Sequence, residues 1–175
     1  MNKYKLGVYM GRFSPLHLGH TAVIDTMLDK YGEDNSLLLI GSVNNNQTLR
    51  HFFSFSERRS MIKMVYPNIR VAGVPDFADD GDWFMEIADL IHLIGNHSFE
   101  CEFFAGCDED VAAMRAYTSN ITVVNRFDGT TPLISATQVR DALMYKREVK
   151  DLLHHNCLDY VVNLFDKKWE EYTRR

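Results

Sequence analysis

Short apolar runs alternate with stretches of helical periodicity along this chain. Lys5 to Met10 is a short apolar strand, after which Val23, Ile24, Met27 and Leu28 recur at helical spacing up to a Tyr31-Gly32 stop. Leu37 to Val43 is a near-continuous apolar run, the pattern of a central parallel strand buried on both faces. Ser54 and Glu57 form a capping box that opens a helix to about Tyr66, and Pro67-Asn68 ends it. Ile69 to Val74 predicts a third strand, and Asp82 to Ile94 a helix with Phe84, Ile87, Ala88 and Ile91 on its apolar face. Glu100 to Ala105, Asp108 to Tyr117 and Ile121 to Asn125 continue the alternation as strand, helix and strand. Ser135 with Gln138 makes a second capping box for a helix to about Tyr145, and a last helix covers roughly Leu158 to Tyr172.

Strands alternating with helices of this length imply a parallel sheet covered on both faces by right-handed crossovers. The expected fold is therefore α/β, a Rossmann-like parallel five-stranded sheet with helices on both faces and extra C-terminal helices. We expect one domain over residues 1–175, with a core at about 5–145 and a C-terminal helical extension at about 146–175. Ligands of such sheets bind at the carboxyl ends of the strands, where the segments Gly11 to His20, Gly41 to Arg50, Gly106 to Asp108 and Arg126 would emerge.

Composition narrows the function. The 175 residues are 46% hydrophobic, enough for a sizeable core, and no stretch reaches the length of a membrane span. The N-terminus has no signal-peptide core, so a cytoplasmic protein is expected. A formal charge of -5 disfavours extended nucleic-acid binding, which leaves any positive site local. The arginines at 12, 50, 58, 59, 126 and 140 form a phosphate pocket only if folding gathers some of them. Three cysteines without paired short spacing argue against a disulfide framework, and His154, His155 and Cys157 read as a helix joint rather than a zinc site. The motifs Gly-x-Gly-x-x-Gly and Gly-x-x-x-x-Gly-Lys-Ser/Thr are both absent.

Chemistry concentrates in Met10-Gly11-Arg12-Phe13-Ser14-Pro15-Leu16-His17-Leu18-Gly19-His20. Glycine permits close backbone approach to a ligand, Pro15 fixes the turn, and the following helix N-terminus aims free N–H groups at an anion. His17 and His20, three apart, share one face of the first turn. Far along the chain, Ile134-Ser135-Ala136-Thr137-Gln138-Val139-Arg140 starts another helix with two hydroxyls and an arginine one turn on.

The first segment resembles the Gly-Arg-Phe-x-Pro-x-His-x-Gly-His signature of the nucleotidylyltransferase superfamily, and the second resembles that superfamily's Ile-Ser-x-Thr-x-x-Arg element. Two more segments resemble the archaeal-type nicotinamide mononucleotide adenylyltransferases. One runs from Ile40-Gly41-Ser42-Val43-Asn44 through Thr48-Leu49-Arg50-His51-Phe52-Phe53-Ser54 to Glu57-Arg58, with Val43-Asn44 in place of Ala-Gln and Phe52 where proline is usual. The other, Asp76-Phe77-Ala78-Asp79-Asp80-Gly81-Asp82-Trp83, has the family's aspartate-to-tryptophan spacing with Asp80 where asparagine is common. Gly106, Asp108 and Asn125-Arg126 complete the landmarks.

The resemblance implies direct in-line attack of a mononucleotide 5′-phosphate on the α-phosphorus of ATP, giving NAD and pyrophosphate with no covalent enzyme intermediate. It implies that His17, His20 and Arg140 are catalytic. Gly11, Arg12, Phe13, Gly106, Asp108, Arg126, Ser135 and Thr137 would bind ATP, while Arg50, Asp76, Asp80 and Trp83 would bind the mononucleotide, Trp83 by stacking on its ring. Mg²⁺ would arrive with ATP, since no dedicated carboxylate cage is visible, and a homo-oligomer is expected. A Nudix hydrolase domain found in some relatives has no room here, so one activity is expected. Two other readings stand beside this one: a sister enzyme with phosphopantetheine or glycerol phosphate as acceptor, and a module that senses ATP or NAD without turnover. Asp80 leaves the choice between nicotinamide and nicotinic acid mononucleotides open.

Overall fold

The computed structural model describes residues 5–45, 48–94, 100–106, 108–115, 118–124 and 132–174, with side chains at 108–110 and 113 outside the description. Five strands, β1 (Leu6–Gly11), β2 (Ser36–Ile40), β3 (Arg70–Gly73), β4 (Cys101–Ala105) and β5 (Ile121–Val123), form one parallel sheet in the order β3-β2-β1-β4-β5. Among the described residues six α-helices follow in the predicted alternation: α1 (Leu18–Tyr31), α2 (Phe55–Val65), α3 (Asp80–Ile94), α4 (Asp108–Arg115), α5 (Ala136–Met144) and α6 (His155–Thr173). The Rossmann-like expectation holds among the described residues.

The period-two geometry of a strand divides the core into two layers. Val8, Leu37, Leu39 and Phe103 face Ile87 and Ile91 of α3 and Met114 of α4. Their neighbours Tyr9, Leu38, Ile40 and Phe104 face the other way, onto apolar residues of α1, α2, α5 and α6. Both layers bury β2 completely, which is why its sequence Ser-Leu-Leu-Leu-Ile shows no polar alternation.

Several boundaries differ from the sequence reading for local reasons. β2 stops at Ile40 rather than Val43, because Ser42 adopts a left-handed conformation at φ 55° and turns the chain out of the sheet. α3 begins at Asp80 rather than Asp82, since Asp79 Oδ1 accepts the N–H groups of Gly81 at 2.7 Å and Asp82 at 3.3 Å. α6 begins three residues earlier than expected, at His155, where His154 Nδ1 accepts the Asn156 N–H at 3.2 Å. The expected ends of α4 and β5, Tyr117 and Asn125, lie outside the described residues.

The strand order reverses at β1, between β2 and β4, so the crevice at the carboxyl ends of these strands is where a ligand fits. The loop leaving β1 toward α1 occupies that position.

Candidate active site

That loop is held in a conformation few side chains adopt. Phe13 is fully buried at φ 49°, a left-handed backbone that costs energy for a bulky residue and persists only where packing enforces it. Its ring packs edge-on to Tyr9 at 5.5 Å and lies 4.8 Å from the ring of His20. A Cβ added to Gly11 would come within 3.1 Å of the Phe13 ring, so glycine lets the loop fold back on its own strand. The Ser14–Pro15 peptide is cis.

His17 occupies the N-cap of α1, and its backbone N–H donates to His20 Nδ1 at 3.3 Å. With Nδ1 accepting, the proton of a neutral His20 ring sits on Nε2, which makes the opposite ring edge a donor. The two imidazoles stack with centroids 3.6 Å apart, and both are buried. Sequence spacing places them on one face; the stacking locks their orientation.

The second signature closes over the first. Ser135 caps α5 by accepting the Gln138 N–H at 3.1 Å. Arg140 donates through Nη2 to Thr137 Oγ1 at 3.1 Å and through Nη1 to the Ser14 carbonyl at 2.6 Å. A Cβ at Gly19 would meet the Ile134 carbonyl oxygen at 3.0 Å and the His17 ring at 3.1 Å, so the glycine permits the contact between the two segments.

Together they enclose a cleft of about 590 Å³ lined by Gly11, Arg12, Phe13, His17, His20, Ser135, Thr137 and Arg140, with Tyr9, Ser14 and Ala136, and with Leu49 and Arg50 from the loop after β2. Burial lowers the Arg140 pKa below the ordinary guanidinium value, and Arg12 and Arg50 add to this against Asp141. Three guanidinium groups thus meet at one cleft in a chain of negative net charge, the arrangement that recognises clustered phosphates.

The remaining arginines go elsewhere. Arg58 was expected as a possible phosphate ligand but is fully buried, and its guanidinium donates to the carbonyls of Gly41 at 2.7 Å, Arg12 at 3.0 Å and Ser42 at 3.2 Å. It therefore pins the carboxyl ends of β1 and β2 to α2, with Nε also reaching the Ser54 carbonyl at 3.3 Å. Arg59 is exposed on α2, and Arg126 lies outside the described residues.

The residues expected to bind a mononucleotide divide. Arg50 lines the cleft, whereas Asp76, Asp80 and Trp83 do not. Asp76 follows β3 and accepts from Ser42 Oγ at 2.9 Å and Asn45 Nδ2 at 2.5 Å, while the Asn44 amide pairs with its backbone N–H and carbonyl at 2.8 and 3.0 Å. Asp80 is exposed in the first turn of α3, and Trp83 is half-buried against the core layer of that helix. Gly106 follows β4 outside the cleft lining, and the Asp108 side chain is not described. His51, beside this rim, has its pKa lowered from 6.5 by burial and by Arg12, with Asp76 opposing. Sequence reasoning missed Tyr9 and Leu49, and also the Ser14 carbonyl, which as a backbone oxygen leaves no residue-type signal.

The histidine-cysteine group at 154–157 lies at the start of α6, with His154 as its N-cap. Cys157 is buried, its thiol donates to the His154 carbonyl at 3.4 Å, and burial pushes its pKa up to about 11. Among the described residues no group of His, Cys, Asp or Glu is placed to hold a metal ion, and no helix is long and apolar enough to cross a membrane. Cys107 lies outside the description.

Residues 8–162 match the model of the cytidylyltransferase-like family, and the chain belongs to that family. Within it, the relatives at issue are nicotinamide-nucleotide adenylyltransferases. The enzyme of that name from Methanocorpusculum labreanum is 37% identical over 172 residues, covering 95% of this chain and 84% of that protein. The one from Sulfurisphaera tokodaii is 45% identical over 56 residues, which is 32% of this chain and 31% of that protein. In three dimensions the chain is similar to a bifunctional NMN adenylyltransferase/ADP ribose pyrophosphatase from Francisella tularensis, solved with AMP and a manganese ion. The TM-score is 0.78 at 16% identity, over 97% of this chain and 52% of that one, a likeness of fold.

Proposed function

We propose that the protein is a nicotinamide-nucleotide adenylyltransferase, joining ATP and nicotinamide mononucleotide to give NAD and pyrophosphate. The observation that carries this reading is the cleft in which Arg140 bonds to Ser14, bringing both phosphate-binding segments around His17, His20 and Arg50. A full-span relative of that activity supports the choice of substrates.

The 5′-phosphate of the mononucleotide attacks the α-phosphorus of ATP, a new P–O bond forms, and the bond to the β-phosphate breaks to release pyrophosphate. The acceptor phosphate is a nucleophile at neutral pH, so the protein needs only to align the reactants and stabilise developing charge. His20, preorganised as a donor by the His17 backbone N–H, faces the α-phosphate, with His17 beside it on the triphosphate. Ser135, Thr137 and Arg140 take the β- and γ-phosphates at the N-terminus of α5. Gly11, Arg12 and Phe13 hold the nucleotide along β1, and Gly106, Asp108 and Arg126 are its further proposed ligands. Arg50 takes the mononucleotide phosphate, and Asp76, Asp80 and Trp83 are the residues proposed to receive its ring, although none of them lines the cleft.

The cleft offers cations and hydroxyls rather than a carboxylate ligand set. Mg²⁺ would therefore arrive with ATP rather than on a protein carboxylate, and when bound would supply charge neutralisation at the triphosphate.

One observation favours a second acceptor: Trp83 and Asp76 stand outside the cleft lining, and the phosphate machinery alone suits phosphopantetheine equally well. Purified protein incubated with ATP, Mg²⁺ and, separately, nicotinamide mononucleotide, nicotinic acid mononucleotide and phosphopantetheine, with products resolved by chromatography, decides among them. NAD formation that is lost in His20→Ala supports the reading. Product with phosphopantetheine alone overturns the acceptor, and nucleotide binding without product from any acceptor overturns catalysis.

A further inference from the structure

Helix α6 contributes no residue to the cleft lining, yet it grips the segment that does. Cys157, Val161 and Phe165 recur every fourth residue on its buried face, and Trp169 and Tyr172 continue that stripe toward the C-terminus. The stripe meets Phe52, which is itself buried and directly follows the 3₁₀ turn Leu49–His51. The Phe52 ring lies 4.8 Å from Phe165, 6.4 Å from Trp169 and 6.3 Å from Tyr172. Trp169 stacks between Phe165 and Tyr172 at 5.9 and 5.7 Å with interplanar angles of 14° and 17°.

A polar clasp lies beside this ladder. Lys168 Nζ stands 2.8 and 3.1 Å from the Glu57 carboxylate oxygens and 5.9 Å over the Phe52 ring. Glu57 in turn accepts the Ser54 N–H at 2.7 Å, closing the cap of α2. The five-residue span from Arg50 to Ser54 is thus held from outside at Phe52 and at its end by the cap. Leu49, just before this span, and Arg50, at its start, line the cleft.

We propose that the C-terminal part of α6 is a positioning element for Arg50, with Trp169 as the positioning residue and the phosphate of the mononucleotide as the group it serves. The proposal rests on the functional reading above for the identity of that phosphate. The aromatic rings have few rotatable bonds, so their packing on Phe52 holds the Leu49–His51 turn at little entropic cost, and Lys168 ties the same helix face to Glu57. Without it, Arg50 stays charged and present but samples conformations away from the bound phosphate.

The test compares Trp169→Ala and Trp169→Phe in the full chain by hydrogen–deuterium exchange and by steady-state kinetics with MgATP and nicotinamide mononucleotide. In Trp169→Ala, amides of residues 48–54 are expected to exchange about tenfold faster while those of β1 and β2 do not change. The Michaelis constant for the mononucleotide should rise about fivefold with kcat and the constant for ATP nearly unchanged, and Trp169→Phe should restore both readouts. Adding Arg50→Ala to Trp169→Ala should then cost far less than Arg50→Ala costs in the native chain. Unchanged exchange at 48–54, or faster exchange with an unchanged mononucleotide constant, overturns the proposal. If Trp169→Ala does not fold, Lys168→Met, which removes the ion pair and keeps the stem over Phe52, is judged by the same readouts. Absence of NAD formation by the native chain overturns the functional reading instead, and the exchange pattern alone then decides whether α6 fixes the turn.

Discussion

Arg140 Nη1 donates to the Ser14 carbonyl at 2.6 Å, a bond between residues 126 apart in sequence. It links the two segments that line the cleft, and it commits one edge of a cleft-lining guanidinium to a backbone oxygen. The other edge, on Thr137 Oγ1, keeps the group at the mouth of α5. Arg140 therefore both builds the cleft and charges it.

Replacing Arg140 separates these roles. Arg140→Ala is expected to lose about 2–3 kcal/mol of transition-state stabilisation, roughly a 30- to 150-fold fall in kcat/KM for ATP. Arg140→Lys should recover only a small part, because one ammonium cannot serve Ser14, Thr137 and a phosphate together. Steady-state kinetics with ATP as the varied substrate checks this, and a lysine variant as active as the native chain would refute the fork argument.

Gly19→Ala addresses the same junction through sterics. The new methyl group meets a backbone oxygen at 3.0 Å and the His17 ring at 3.1 Å, and the Ile134 carbonyl has little freedom to retreat. We expect a loss of about 1–3 kcal/mol in stability and a fall in kcat from displaced histidines. Thermal melts and turnover should fall together; a change in neither would show that the junction is looser than its geometry.

The alternation of apolar runs was enough to read the sheet, the order of its helices and the two cap sites at Ser54 and Ser135. What escaped it depends on groups that sequence does not display. The β2 boundary was misread because Ser42 turns out of the sheet with a left-handed backbone, and Val43 is as apolar as a strand residue. Arg58 was grouped with the phosphate arginines because its partners are carbonyl oxygens, which every residue possesses. The cleft itself was legible where glycine, histidine and arginine have no packing reason to coincide. The Trp83 segment was not placed, since an aromatic at a helix start serves a core equally well.

Arg58 should be irreplaceable for stability although it does not line the cleft. Burial lowers its pKa below the ordinary guanidinium value, with Asp76 and Glu57 opposing, and its carbonyl partners are sequestered with it. Arg58→Met strips donors from three loop carbonyls and should cost about 3–4 kcal/mol, lowering Tm by roughly 10 °C. Arg58→Lys should rescue little, since a single ammonium cannot span the Arg12, Gly41 and Ser42 oxygens. Calorimetry on both variants, with the native chain as reference, gives the comparison.

Acid should weaken the fold through two carboxylates. Burial raises the pKa of Glu57, but hydrogen bonds from Lys168 and the Ser54 backbone outweigh it and leave the group below its ordinary 4.5. Glu102, buried in β4, is likewise raised by burial and brought lower still by Lys30 at 2.7 and 2.9 Å together with the hydroxyls of Thr122 and Tyr31. A carboxylate whose folded pKa lies below its unfolded value stabilises the fold above the unfolded value, and that contribution disappears as pH falls through the folded one. Tm should therefore hold steady from pH 7 to about 5 and decline below 4.5, the ordinary value for both groups. Glu102→Gln should lower Tm at pH 7 and flatten the decline at low pH, because a neutral amide carries no such linkage. A melt series from pH 7 to 3.5 on the native chain and this variant tests the sign: parallel acid limbs would show that Glu102 contributes no linkage, and a Tm that rises on acidification would reverse the assignment for both groups.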